Sequence, residues 1–368
     1  MSLADIQKYL EEMQTIQNSI LDYIEDENGS EDNLRDIQKY INDQKIRNNI
    51  YKLKLFLRLI TKIINNHHRG VNFFTKIEKI IQLIKDLIIN NFSNSEIFHI
   101  FKGNKRILLY LVEEKIMTFD KDITDQLEQD FFKRAKYQEY FYPELKQFLD
   151  FESTFIIEEF YKEIYNKDFN EKRKNGENES LLSKMIREDS VEEFIIYANQ
   201  TNMPLSSLLN KTIYETNSFL LKQKEGVSLI EYAAFFGAIQ IFQFLKLNRV
   251  ELKSNLWLFA IHGKNAEMIH LLEESQIDPP SMSHNECLNE AIKCHHNDIA
   301  NYFETNFMNE ENCGLDQAIK SFNFDFIQID PINQSSFYFL CHKEYYDFVD
   351  NILKIKKDID VNTVIVSI

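Results

Sequence analysis

Ser228-Leu229-Ile230-Glu231-Tyr232-Ala233-Ala234-Phe235-Phe236-Gly237-Ala238-Ile239-Gln240-Ile241-Phe242-Gln243-Phe244-Leu245 places two short apolar runs on either side of one glycine. Ser228 and Glu231 stand at capping-box spacing, where each side chain satisfies the other's free backbone N–H at a helix start. The Ala pair gives the first helix a thin side, so a neighbouring helix can approach closely. Gly237 is the residue type that turns a chain sharply after a helix. The stretch reads as a helix pair closed by a tight turn. Such a pair cannot bury its apolar faces alone and must stack on others.

Past Ser180 the chain repeats this frame, and self-similarity of this kind signals stacked units. It returns at Ala260-Ile261 through Leu271-Leu272, at Ala291-Ile292 through Tyr302-Phe303, and at Ala318-Ile319 through Asn323-Phe324-Asp325-Phe326-Ile327. Leu340-Cys341 through Ile352-Leu353 is a further copy, and Met185-Ile186 through Ile196-Tyr197 is a leading one, separated from the next by an insertion over 199–224. Glu192, Glu267, Asp298, Asp325 and Asp347 follow the turn, with Gln240 the neutral exception. An acidic residue there complements the dipole of the second helix.

The quoted stretch resembles the ankyrin pattern Thr-Pro-Leu-His-x-Ala-Ala-x-x-Gly-His-x-Glu-Val-Val-x-x-Leu, with Ser228 at the Thr and Glu231 at the His. The aligned Ala positions are spaced unevenly and more closely than the usual roughly 33 residues, and most Pro and Gly signatures are missing. Beyond the generic pattern, Tyr214-Glu215-Thr216-Asn217, Leu229 to Gly237, Leu256-Trp257-Leu258-Phe259-Ala260-Ile261-His262 and Ile292 to Tyr302 resemble an uncharacterised ankyrin-repeat family expanded in trichomonad protozoa. Asn65-Asn66-His67-His68-Arg69 and Phe92 to Phe98 look like that family's leader region. The resemblance implies a helical leader followed by ankyrin repeats, with no established biochemical activity.

Residues before 150 carry helical stripes. Ile6, Leu10, Met13, Ile20 and Ile24 share one, interrupted by Gln17, and residues 26–31 then form a polar loop. Ile46, Ile50, Leu53, Leu57, Ile60 and Ile64 form the clearest stripe, followed after Asn65 to Gly70 by Phe73, Ile77, Ile80, Ile84 and Leu87. These two helices predict an antiparallel hairpin within a bundle. Ser93 and Glu96 form a second capping box, opening a short helix, then a turn and a longer helix from Arg106. The expected organisation is all-α. An N-terminal helical bundle or hairpins occupies 1–150, with 93–117 an ankyrin-like helix pair. Mixed helix and polar linker follow over 151–180, then a divergent ankyrin-repeat solenoid over 181–368, truncated or uncapped at its C-terminal end.

With 44% hydrophobic and 27% charged residues the composition is that of a folded chain, and 8 Gly and 5 Pro are too few for the turns of an all-β protein. A net charge of −16 opposes binding to nucleic acid and to anionic membranes. No specific nucleic acid and no membrane insertion are expected, since no apolar run approaches the roughly 20 residues that span a bilayer. The first residues lack a secretory signal, and the four cysteines lack disulfide spacing, so a cytoplasmic or nuclear location is expected.

Catalysis finds no support: there is no phosphate loop, nucleophile elbow or His-Glu-x-x-His helix. No cofactor is expected. His284, Cys287, Cys294, His295, His296 and Cys313 cluster in sequence but lack paired zinc-ligand spacing, and His67-His68 reads as a loop turn, so no metal is expected. The favoured function is a non-catalytic protein-protein interaction scaffold whose concave face binds another protein. Its variable frame positions are Val227, Phe235, Phe236, Ser254, His262, Gly263, Asn285, Lys293, Cys294, Lys320, Ser321, His342 and Lys343. Phe235 and Phe236 are either an exposed apolar anchor or local core covered by the insertion, while Trp257 reads as core. The alternatives are an architectural protein docking on an acidic polymer or cytoskeletal filament through the basic hairpin 45–85, and a Cys/His metal-binding domain.

Overall fold

A computed structural model describes residues 3–27, 31–43, 46–128, 137–148, 167–279, 284–308, 314–329, 332–356 and 359. These residues are helical, with no strand among them; Leu208 and Ser228 make one isolated antiparallel bridge. No described helix is long and apolar enough to cross a membrane. The chain divides into two units, one joining residues 1–80 to 252–368 and the other holding 81–251. This differs from the boundaries expected at 150 and 180.

The first unit opens with α1 (Leu3–Glu25), α2 (Glu31–Asp43), α3 (Ile50–Asn66) and α4 (Phe73–Leu83). The stripe of α1 is buried throughout, and so is its polar interruption, Gln17. The α3 helix starts later than its apolar stripe. Ile46–Asn48 is a 3₁₀ turn, and Asn49 caps α3 by accepting hydrogen bonds from the N–H groups of Tyr51 and Lys52.

In the second unit, α5 (Lys85–Asn91) continues the stripe expected from Phe73 to Leu87, which breaks at Ile84. The helices α6 (Asn94–Phe101) and α7 (Lys105–Glu113) are the pair expected over 93–117, with the Ser93–Glu96 capping box formed. Next come α8 (Lys121–Glu128), α9 (Tyr142–Leu145) and α10 (Phe169–Asn175). The last of these lies in the expected linker, whose residues 151–166 fall outside the described part. Residues 167–180 are not a solvated linker. Arg173 is 3% exposed, forks onto both Glu144 oxygens at 2.8 and 3.0 Å, and donates to Tyr140 O, while the Tyr140 hydroxyl donates back to Arg173 O. A charged residue can be buried when an opposite charge and hydrogen bonds of this quality meet it.

The same unit continues with α11 (Leu181–Arg187), α12 (Val191–Thr201), α13 (Ser218–Lys222), α14 (Leu229–Phe236) and α15 (Ile239–Leu247). The chain then returns to the first unit with α16 (Leu256–His262), α17 (Ala266–Glu274), α18 (Asn285–Cys294), α19 (Asn297–Phe307), α20 (Leu315–Ser321), α21 (Gln334–His342) and α22 (Tyr346–Ile355). There the first helices lie side by side, α16 on α18, α18 on α20 and α20 on α21.

One turn follows the first helix in all six copies of the frame. The carbonyls of Met185, Ala233, Ala260, Ala291, Ala318 and Leu340 accept hydrogen bonds from the N–H groups of Ser190, Ala238, Asn265, His296, Asn323 and Tyr345. In each case the residue just before the donor is left-handed: Asp189, Gly237, Lys264, His295, Phe322 and Glu344. Only one of the six is glycine, so the frame keeps the turn without the residue type that makes it easy. The second helix of the fifth copy is missing. Phe324–Phe326 is a single 3₁₀ turn, packed against α1.

The N-terminal helices address these turns one by one. Glu25 accepts from Lys264 Nζ at 2.5 Å, and His67 Nδ1 lies 2.8 Å from Cys294 O. Gln17 accepts from Phe324 N at 2.7 Å and donates to Asn323 and Asp325, while Arg58 donates to Lys343 O at 2.7 Å and to Glu344. Residues 1–80 therefore fold onto the last helix pairs and not onto a separate leader, and the buried Gln17 and His67 find partners there.

Second helices end in a left-handed residue too, at Asn202, Arg249 and Gln276. Gln276 is exposed. Gln276→Gly should raise stability by about 0.5–1 kcal/mol by removing the left-handed strain, and Gln276→Val should lower it. Urea unfolding of the two variants, with opposite shifts in midpoint, checks this.

Candidate functional site

The frame positions proposed for partner contact divide by burial. In the second unit Val227 and Phe235 are buried. The Phe235 ring stacks on Phe219 of the insertion with centroids 5.9 Å apart, and the Val227 carbonyl accepts from Leu209 N, so the insertion closes over this end of α14. Phe236 is half-buried against Tyr232 and the Arg187 guanidinium. The pair is local core and not an exposed anchor. Phe235→Ala should therefore cost about 3–5 kcal/mol of stability, read as a large drop in the urea midpoint; an unchanged midpoint would restore the anchor.

In the first unit His262, Cys294 and Ser321 are also buried, contrary to a contact role. The Ser321 hydroxyl donates to Gln317 O, Lys293 is half-buried on Glu290, and the Lys320 ammonium lies 3.8 Å from the Phe339 ring centre. Gly263 and Lys343 are half-buried, which leaves Ser254, Asn285 and His342 as exposed positions. Trp257 is core as expected, its indole N–H donating to Ile277 O at 2.9 Å. Cys313 falls outside the described residues.

The basic stretch 45–85 is largely engaged within its own unit. Lys52 pairs with Glu12 and lies over the Tyr9 ring, Arg58 binds the Lys343–Glu344 turn, and the buried Lys76 ammonium donates to Ile24 O and Asp26 O. These contacts remove much of the free positive face that a polymer would need. The second unit holds a cavity of about 550 Å³ under the insertion, bounded by Lys105, Tyr214, Leu220, Val227 and Tyr232.

The site the structure assembles is made of histidines. His67 and His68, just after α3, meet His296 in the turn between α18 and α19, with ring centroids 4.5, 4.9 and 5.3 Å apart. One nitrogen from each lies within 4.8 Å of the others. His296 Nδ1 is 2.8 Å from Ile261 O and His67 Nδ1 is 2.8 Å from Cys294 O. A carbonyl only accepts, so both Nδ1 atoms carry a proton, and in neutral His296 the Nε2 atom presents a lone pair. His296 Nε2 and His68 Nδ1 have no hydrogen-bond partner, an arrangement that costs about 1–3 kcal/mol per buried group. His67 Nε2 lies 3.1 Å from Glu25 Oε1. Beside this cluster, His262 Nδ1 is 2.9 Å from Glu290 Oε1, and the Cys294 thiol is 3.3 Å from the same ring nitrogen.

Burial, with the neighbouring His67, holds His68 down to about 3, and burial holds His295 at about 3 and His296 well below the ordinary 6.5. Burial raises Glu25, but bonds from His67 and Lys264 outweigh it and leave the carboxyl at about 2. Glu290 likewise ends at about 2, burial being outweighed by His262 and Lys293. The folded state thus binds fewer protons than the unfolded one. The histidines' contribution is whole above about pH 6.5 and is lost as pH falls toward 3, at up to about 1.4 kcal/mol per pH unit for each group. The carboxylates' contribution is lost only below about 4.5. Stability in urea should already fall between pH 7 and pH 5; a flat profile over that interval refutes the neutral cluster.

Sequence spacing could not reveal this site. His67 and Cys294 are separated by 227 positions, and no local motif spans them. The only signal was that both segments carry a His-His pair at a turn. Comparison with protein-family models, curated proteins and solved structures returns no match.

Proposed function

We propose that the protein is a non-catalytic scaffold that binds another protein through divergent ankyrin-like repeats. The observation that carries this reading is the single turn repeated in six copies of the frame, five of them complete helix pairs. A repeated backbone presents equivalent positions at intervals, which is how stacked helix pairs build an extended binding surface. On this reading the partner meets the exposed frame positions Ser254, Asn285 and His342, set around α16, α18 and α21. The buried frame positions serve the stack instead.

The triple variant Ser254→Arg, Asn285→Arg, His342→Glu tests it. Exposed substitutions of this kind change stability by about 0.5 kcal/mol or less each, so the melting temperature should hold. Proximity labelling in cells should then lose a discrete set of neighbours that the unaltered chain marks. The same neighbours at the same intensity with both chains would overturn the assignment.

A further inference from the structure

We propose that His67, His68 and His296 form a binding site for a divalent transition-metal ion, with zinc the best fit. Three imidazoles make up a borderline-soft nitrogen donor set, the kind that zinc prefers. The ring nitrogens lie within 4.8 Å of one another. Ligands about 2.1 Å from a tetrahedral ion stand roughly 3.4 Å apart, so closure asks for about an ångström of side-chain movement.

Two features separate this cluster from a chance meeting of histidines. First, His67 and His296 both have Nδ1 fixed by a backbone carbonyl, at 2.8 Å in each case, which turns Nε2 inward. Metal-binding imidazoles are oriented in this way by an outer partner on the second nitrogen. Second, His296 is fully buried and its Nε2 has no hydrogen-bond partner, nor does His68 Nδ1. Buried polar atoms are nearly always partnered, and two adjacent exceptions aimed at one point call for a ligand. The neighbouring His262, Glu290 and Cys294 group is a weaker candidate, since His262 and Lys293 already pair with Glu290 and burial keeps the Cys294 thiol protonated.

An ion here would join the end of α3 to the α18–α19 turn within the first unit, and so fasten the N-terminal helices to the helix pairs. The architecture supplies its own conservative variant. Asn323 holds the position of His296 in the next pair and donates to Ile292 O as His296 does to Ile261 O. His296→Asn should keep that hydrogen bond and lose the metal nitrogen.

The test uses the full chain, equilibrated with zinc chloride and then desalted. Elemental analysis should find one zinc per chain, and cobalt(II) in its place should give visible bands without thiolate charge transfer. His296→Asn and His68→Asn should each weaken zinc affinity by more than about tenfold with the helical circular dichroism intact, and zinc should raise the melting temperature of the unaltered chain alone. Cys294→Ser should bind as the unaltered chain does. No retained zinc, undiminished affinity in both histidine variants, or loss of binding in Cys294→Ser overturns the proposal.

Discussion

The structure depends on what becomes of the last carbonyls of each short first helix. A helix leaves its final carbonyls without intrahelical partners, and in a helix of seven to ten residues these are a large share of the total. The turn takes one inward by a hydrogen bond from five residues on. Another is taken by the following pair: His296 donates to Ile261 O at 2.8 Å, Asn323 to Ile292 O at 2.9 Å, and the Tyr345 hydroxyl to Ile319 O at 2.9 Å. The three donors differ chemically but hold one position in the frame, directly after the left-handed residue. All three are buried, so each bond is screened from water and its loss would leave a buried polar group bare.

That ladder accounts for departures from a regular repeat. Where the turn is held from outside by a side chain of the next pair, a left-handed Lys264, His295 or Phe322 can be tolerated. Its strain of about 1–2 kcal/mol is offset by a bond that glycine alone would not supply. The uneven second helices fit the same logic. Phe324–Phe326 is reduced to one 3₁₀ turn, and Gln17 on α1 meets the free Phe324 N–H at its start and the Asp325 carboxylate. Gln240, the one frame position lacking an acidic residue, is compensated similarly, since Asp189 of the preceding turn accepts from the N–H groups of Gln240 and Ile241.

The helix pairs were legible in the sequence because most repeat a small residue, a turn and an acidic start at nearly constant offsets. The capping boxes at Ser93 and Ser228 were legible because capping is local. What could not be read was any partnership formed across the chain. The polar run from Lys167 to Ser180 looked like linker because polarity is visible in sequence and pairing is not; Arg173 is core only because Glu144 and Tyr140 meet it. The frame positions at Phe235, His262 and Cys294 looked exposed because a regular repeat exposes them. An insertion and a set of N-terminal helices cover what regularity would leave open.

The same reasoning turns irregularities of pattern into evidence. Gln17 broke the apolar stripe of α1, and it is the residue that binds the shortened fifth pair. The pairs His67-His68 and His295-His296 looked like turn filler, yet three of those four imidazoles face one another. A polar residue on a stripe costs stability unless something satisfies it, so its retention points to a partner elsewhere. For Gln17 the partner is a backbone N–H. For His296 one nitrogen is answered by Ile261 O, and the other is left without a hydrogen-bond partner beside two more imidazoles. A buried acceptor with no donor destabilises the fold until a cation stands before it, and that is the physical reason to look for one there.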